Sequence, residues 1–146
     1  MAFQEKEGTI EWKMHFASPI EKVYTFLTTD DGRGKFWAEA TNEQHGIIEF
    51  TFLNYPKHKA SIVQKDAPRL FRLIYFGTET TFELQSTEDE GTDLMLTALT
   101  QNEKIKWEMA AGWVSVLMTM KGAVDHGIDL RNHHPQRSWQ NGYADN

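Results

Sequence analysis

Six histidines, His15, His45, His58, His126, His133 and His134, are the side chains of this sequence best suited to binding a metal or moving a proton. None stands four residues from another, the H-x-x-x-H spacing that sets two imidazoles on one helix face, so no metal site is expected. Asp125, His126 and Asp129 cluster near the end of a helical pattern, but acidic groups there oppose the helix dipole, and a solvated polar face is the expectation. Gly32-Arg33-Gly34-Lys35 has the texture of a phosphate loop without the G-x-x-x-x-G-K-[ST] spacing, and it follows a helix rather than a strand. It reads as a helix stop whose glycines leave joints on which Phe36 and Trp37 could swing over a cavity mouth. The chain has no Cys and no G-x-S-x-G, so thiol nucleophiles, disulfides and a serine elbow are absent. Paired carboxylates for acid–base work would need Glu49, Glu79 or Glu83 to face inward, and the alternation around them turns them outward. No catalytic residue and no cofactor are expected.

The apolar side chains carry more information. Ile10, Trp12, Met14 and Phe16 alternate with polar residues and mark a first strand. Ser18-Pro19-Ile20-Glu21 then reads as the start of a helix with Ser18 as its cap, carrying Ile20, Val23, Tyr24 and Leu27 on one face. A short second helix or turn bearing Phe36 and Trp37 follows. Between Glu39 and Thr100, short alternating runs separated by turn residues predict an antiparallel meander, with about seven strands in all. On its inward parity stand Phe50 and Phe52, then Leu73 and Tyr75, then Phe82. Trp113, Val116, Leu117, Met120, Val124 and Ile128 next follow a helical period and predict one long helix over Lys106 to Leu130. The fold class is α+β: a curved antiparallel sheet around a long C-terminal helix, with two short helices after strand 1.

A curved sheet and a helix enclose a cavity wherever their facing side chains fail to meet. Trp12, Met14, Phe50, Phe52, Leu73, Tyr75 and Phe82 from the sheet would line it. Trp113, Leu117 and Met120 would do so from the helix, beside the small residues Ala110, Ala111, Gly112 and Ser115, with Phe36 and Trp37 near the entrance. Such walls suit a small hydrophobic or aromatic molecule. The opposing expectation is a filled core, which needs the same residue types.

The chain has 146 residues, the size of one domain, with a core over 8–131 and a polar tail over 132–146, expected to lie on the surface or move. Fifteen Lys and Arg against 21 Asp and Glu leave a net charge of −6, the wrong sign for a nucleic-acid partner. No run is long and apolar enough to cross a membrane, and Met1 to Thr9 lacks the features of a signal peptide, so a cytoplasmic protein without a membrane partner is expected.

Several motifs add a family likeness. Ala17-Ser18-Pro19-Ile20-Glu21-Lys22-Val23-Tyr24, Leu27-Thr28-Thr29-Asp30 before Phe36-Trp37-Ala38-Glu39, Gly46 before Phe50-Thr51-Phe52, and Ala111-Gly112-Trp113 with Val116-Leu117 and Met120-Lys121 occur in this order. In this the chain resembles the activator-of-Hsp90-ATPase-like (AHSA1) family of the START/SRPBCC superfamily, over about Gly8 to Arg131. The resemblance implies a helix-grip fold, like that of Bet v 1, and the binding of a small hydrophobic ligand as carrier or sensor. It leaves two alternatives: a co-chaperone-like module that contacts a protein partner, and a polyketide cyclase-like enzyme.

Overall fold

The computed structural model describes residues 4–146. Its first strand, β1 (Thr9–Phe16), buries Ile10 and Phe16 and leaves Trp12 and Met14 half-buried. α1 (Ile20–Thr28) follows and buries Ile20, Val23, Tyr24 and Leu27, the face expected from their spacing. Ser18 is not its cap: Pro19 occupies that position in extended conformation, with no side-chain cap. The Ser18 hydroxyl instead donates to Asp125 Oδ1 at 2.8 Å, across the molecule.

α2 (Asp30–Gly34) is capped by Thr29, whose Oγ1 accepts from the Gly32 N–H at 3.0 Å. It ends before Phe36 and Trp37, so these rings sit on the turn after the second helix rather than on it. The glycines are not loose joints. A Cβ on Gly32 would lie 2.4 Å from the Phe26 backbone, so glycine here lets α2 cross α1 at contact distance. Arg33 is fully buried, donating to Asp30 Oδ1 at 2.8 Å, Glu43 Oε1 at 3.0 Å, Thr41 Oγ1 at 3.1 Å and the Leu27 carbonyl at 3.3 Å. A buried guanidinium persists only when paired in this way. It fixes the segment that delivers Trp37, whose N–H donates to the Arg33 carbonyl at 2.8 Å.

β2 (Ala40–Gln44), β3 (Ile47–Thr51), β4 (His58–Asp66), β5 (Leu70–Tyr75), β6 (Thr78–Ser86) and β7 (Thr92–Leu99) complete one antiparallel sheet in the order β1-β7-β6-β5-β4-β3-β2. Two of its hairpins turn on residue pairs with left-handed φ, His45-Gly46 and Phe76-Gly77, the geometry that suits a two-residue connection. Phe71, Leu73, Tyr75, Phe82 and Leu84 face the core, while Glu79 and Glu83 face out. Glu49 also points away from the core and pairs with Lys57 at 3.5 Å.

α3 (Glu103–His126) begins one turn earlier than its apolar stripe suggests, because the Asn102 side chain accepts from the N–H groups of Lys104 and Ile105. It also stops short of Leu130. Gly127 takes a left-handed φ of 64°, and the N–H groups of Gly127 and Ile128 close on the carbonyls of Ala123 and Gly122. Ile128 keeps the helical period by coincidence, and with Leu130 it folds back toward Gly122. Asp125 is not on a solvated face either. Its side chain is 2% exposed and accepts from the N–H groups of Ala17 and Ser18 at 2.9 and 3.1 Å.

Beyond α3, the polar tail is bound to the body. The Arg131 guanidinium donates to the carbonyls of Ala38 and Gly34, both at 2.8 Å. The His133 ring nitrogens lie 2.7 Å from Glu39 Oε1 and 2.6 Å from Asp129 Oδ2. Burial pushes the Asp129 carboxyl up, but Arg131 and His133 outweigh it and hold its pKa at about 2. Among the described residues, no helix is long and apolar enough to cross a membrane.

Candidate functional site

The sheet and α3 separate at one end of the molecule. Between the segments after β3 and β5 and the N-terminal half of α3 lies a half-open cleft of about 450 Å³. Its deep wall is Trp37, Tyr75 and Trp113, its rim is Phe52, Tyr55 and Phe76, and Met109, Gly112 and Val116 present the helix. Trp139, Gln140 and Asn146 from the tail complete the mouth. This volume falls within the range of small-molecule sites.

Packing explains why the deep wall is rigid. The Trp37 ring lies 4.9 Å from Phe50, 5.4 Å from Tyr75, and 5.7 Å from both Phe82 and Trp113, at tilts of 59° to 66°. Such tilted arrangements match ring edges to ring faces. The Trp37 indole N–H donates to the Tyr75 hydroxyl oxygen at 3.2 Å. Burial pushes the Tyr75 phenol above its ordinary pKa, so it stays protonated. At the rim, Phe76 is held in its left-handed turn by His58, which accepts its N–H at 3.1 Å and stacks on its ring at 3.8 Å. Burial pushes the His58 imidazole down, in keeping with its acceptor role.

The residues expected around a cavity divide into three groups. Trp37, Phe52, Tyr75 and Trp113 line the cleft. Phe36, Phe50, Leu73, Phe82, Leu117 and Met120 are buried in the closed core behind or beside it. Trp12 and Met14 stand on β1, where the Trp12 indole donates to the Ala110 carbonyl at 2.9 Å, and neither borders the cleft. Phe36 and Trp37 are 2% and 4% exposed: Trp37 is a wall of the cleft, Phe36 lies in the core behind it, and neither stands at the entrance as a gate.

Sequence reasoning found Phe52 of the rim but missed Tyr55, Phe76 and the tail residues at the mouth. Phe76 follows the inward-facing Tyr75 and would point outward in a continuing strand, but the left-handed turn brings it to the rim. Trp139 was visible as an apolar residue in a polar tail, and that was the available signal. Its indole donates to Glu108 Oε1 at 3.3 Å. Among the described residues, Glu108 is the one charged side chain lining the cleft. Ser115 commits its hydroxyl to the Ala144 carbonyl. Among the described residues, no three His, Asp or Glu side chains meet as a metal ion would require.

No family model matches the sequence, and no curated protein matches it. Solved structures do match. A protein of Staphylococcus saprophyticus is 22% identical with a TM-score of 0.74, covering 84% of this chain and 96% of its own. The Aha1 dimer from Colwellia psychrerythraea is 23% identical with a TM-score of 0.73, covering 82% and 97%. The AHSA1-like protein from Aeromonas hydrophila is 16% identical with a TM-score of 0.70, covering 86% and 99%. At these identities the likeness is one of fold: the chain has a helix-grip fold like that of these AHSA1-like neighbours.

Proposed function

We propose that the protein binds one small, apolar, ring-containing molecule in the cleft between the sheet and the N-terminal half of α3. The observation that carries this reading is a cleft of about 450 Å³ walled by aromatic rings that pack against one another and leave the space unfilled. Affinity comes from apolar surface removed from water, roughly 25 cal/mol per Å² before the costs of association. Gly112 allows a decisive test. It lines the cleft, and a Cβ built on it meets nothing within 4 Å, so Gly112→Leu fills the space without a backbone clash. Titration with the uncharged fluorophore N-phenyl-1-naphthylamine should give saturable one-to-one binding that weakens more than tenfold in Gly112→Leu. Equal binding by a folded Gly112→Leu would show that the fluorophore sits elsewhere and remove the support for this site.

A second reading rests on the outer face of α3. Trp107, Ala111, Val114 and Met118, at i, i+4, i+7 and i+11, form an exposed apolar row, with Trp107 55% exposed. The Colwellia neighbour is described as a dimer. We propose that this row can pair with the same row of a second copy. Sedimentation across a hundredfold concentration range should then show a dimer that Met118→Glu abolishes, and a monomer throughout would end this reading.

A further inference from the structure

This inference rests on the proposed cleft and concerns what it selects. Tyr75 is 8% exposed and lines the cleft, and its hydroxyl has one protein partner, the Trp37 indole, from which it accepts. No described residue accepts the proton that the hydroxyl itself carries. At the mouth of the same cleft, the half-buried Asn146 has its amide nitrogen out of contact with solvent and without a described partner. A buried donor left without an acceptor is costly, so these two groups favour an occupant that brings oxygen lone pairs to them. The Trp37 N–H polarises the Tyr75 hydroxyl by donating to its oxygen, which strengthens the bond that the hydroxyl can make in turn. Charge narrows the choice further. Glu108 is acidic and no Lys or Arg lines the space, so a carboxylate-headed guest would be desolvated beside a like charge with no counter-ion.

We infer that the cleft is selective for an uncharged aromatic molecule carrying a hydrogen-bond-accepting oxygen, with Tyr75 as the residue that reads this oxygen. Fatty acids and other apolar anions are excluded. The exchange is non-covalent: the Tyr75 proton stays on its oxygen and gains an acceptor.

The test compares three probes on one ring system, 2-acetylnaphthalene, 2-ethylnaphthalene and 2-naphthoate, by calorimetric titration of the full chain. The ketone should bind about tenfold more tightly than the ethyl compound, and the carboxylate at least tenfold more weakly than the ketone. In Tyr75→Phe, the preference for the ketone over the ethyl compound should fall to about one. Equal affinity of the ketone and the ethyl compound for the unaltered protein overturns the inference without needing any variant, and so does tightest binding by the carboxylate. A preference that persists in folded Tyr75→Phe also overturns the role given to Tyr75. If the ethyl compound binds and only the selectivity is absent, the cleft survives as an apolar site; if none of the three binds, the cleft reading falls and this inference falls with it.

Discussion

Along its last two turns α3 is clasped to the sheet. The Asp125 carboxylate takes three hydrogen bonds from Ala17 and Ser18 and a fourth from Lys121 at 3.3 Å, and the Thr92 hydroxyl closes the same corner on the Ser18 carbonyl at 2.9 Å. Leu117, Met120 and Val124 fill the space beneath. Along its first turns the same helix stands off, and the rings of Phe52, Tyr55 and Phe76 face Gly112 and Val116 across open volume. Hydrophobic character does not distinguish the two ends, since the open one carries the larger side chains. Both ends are tied to the N-terminal segment, the cleft end through the Trp12 indole on the Ala110 carbonyl and Lys106 on the carbonyls of Gln4 and Lys6, so the difference lies in a small residue, Gly112, facing the sheet at the open end. A cavity in this fold therefore follows from which side chains the helix turns toward the far strands.

Cutting the clasp should give the largest effect. Asp125→Ala removes the acceptor of the Ala17 N–H, the Ser18 N–H and the buried Ser18 hydroxyl, and it should cost on the order of 3 kcal/mol of stability in denaturant melts. A loss below about 0.5 kcal/mol would show that the closed end is held by packing alone. The clasp also predicts a pH dependence. Burial pushes the Asp125 carboxyl up, but the Ala17 N–H, Ser18 and Lys121 outweigh it and hold its pKa below the ordinary value. A depressed carboxylate contributes stability above its unfolded pKa of about 3.9 and loses it as pH falls through the lower folded value. The gap between the native protein and Asp125→Asn should thus be flat from pH 7 to 5 and close in the acid range.

Two glycines sharpen the contrast. Gly91 lies at the closed end, where a Cβ would stand 2.4 Å from the Phe16 carbonyl oxygen, so Gly91→Ala should destabilise by about 2 kcal/mol. Gly112 lies at the open end with room for a Cβ, so Gly112→Ala should stabilise by about 0.5–1 kcal/mol, because alanine loses less backbone freedom on folding. Shifts of the same sign in thermal melts would refute the distinction between the ends. The smallest effect concerns the tail beside the cleft. Hydrogen bonds to Asp129 and Glu39 raise the His133 pKa against the lowering effect of burial, and Arg131 is the remaining charge in the cluster. A raised histidine contributes stability that is complete below its unfolded pKa of about 6.5 and is lost as pH rises through the folded value. Proteolysis of the tail should therefore quicken as pH rises above 7, and His133→Gln should flatten that profile.

Much of the framework is legible in the residues, because strand alternation and a helical stripe are local and periodic. Ile10 to Phe16, Phe71 to Tyr75 and Trp113 to Val124 reveal their buried faces without reference to anything distant. The misread features are those set by partners far along the chain. Asp125 looks like a surface carboxylate until Ala17 and Ser18 come to it from more than a hundred positions away. Arg33 is misread for another reason: Leu27 and Glu43 are near in sequence but on other elements, and only the crossing of those elements encloses it. The site was half-legible for the same reason. Trp37, Phe52, Tyr75 and Trp113 sit on faces that a period can reveal, whereas Phe76 and Trp139 reach the cleft through a turn and a returning tail.

The Trp37–Trp113 pair, 5.7 Å apart at 62° with Tyr75 wedged against both, also gives the molecule an optical signature. Indole chromophores this close and this strongly inclined share their excited states. Circular dichroism of the unlabelled chain in the strong far-ultraviolet indole band should thus carry an exciton couplet whose amplitude follows the inclination of the two rings, making the protein its own spectroscopic gauge.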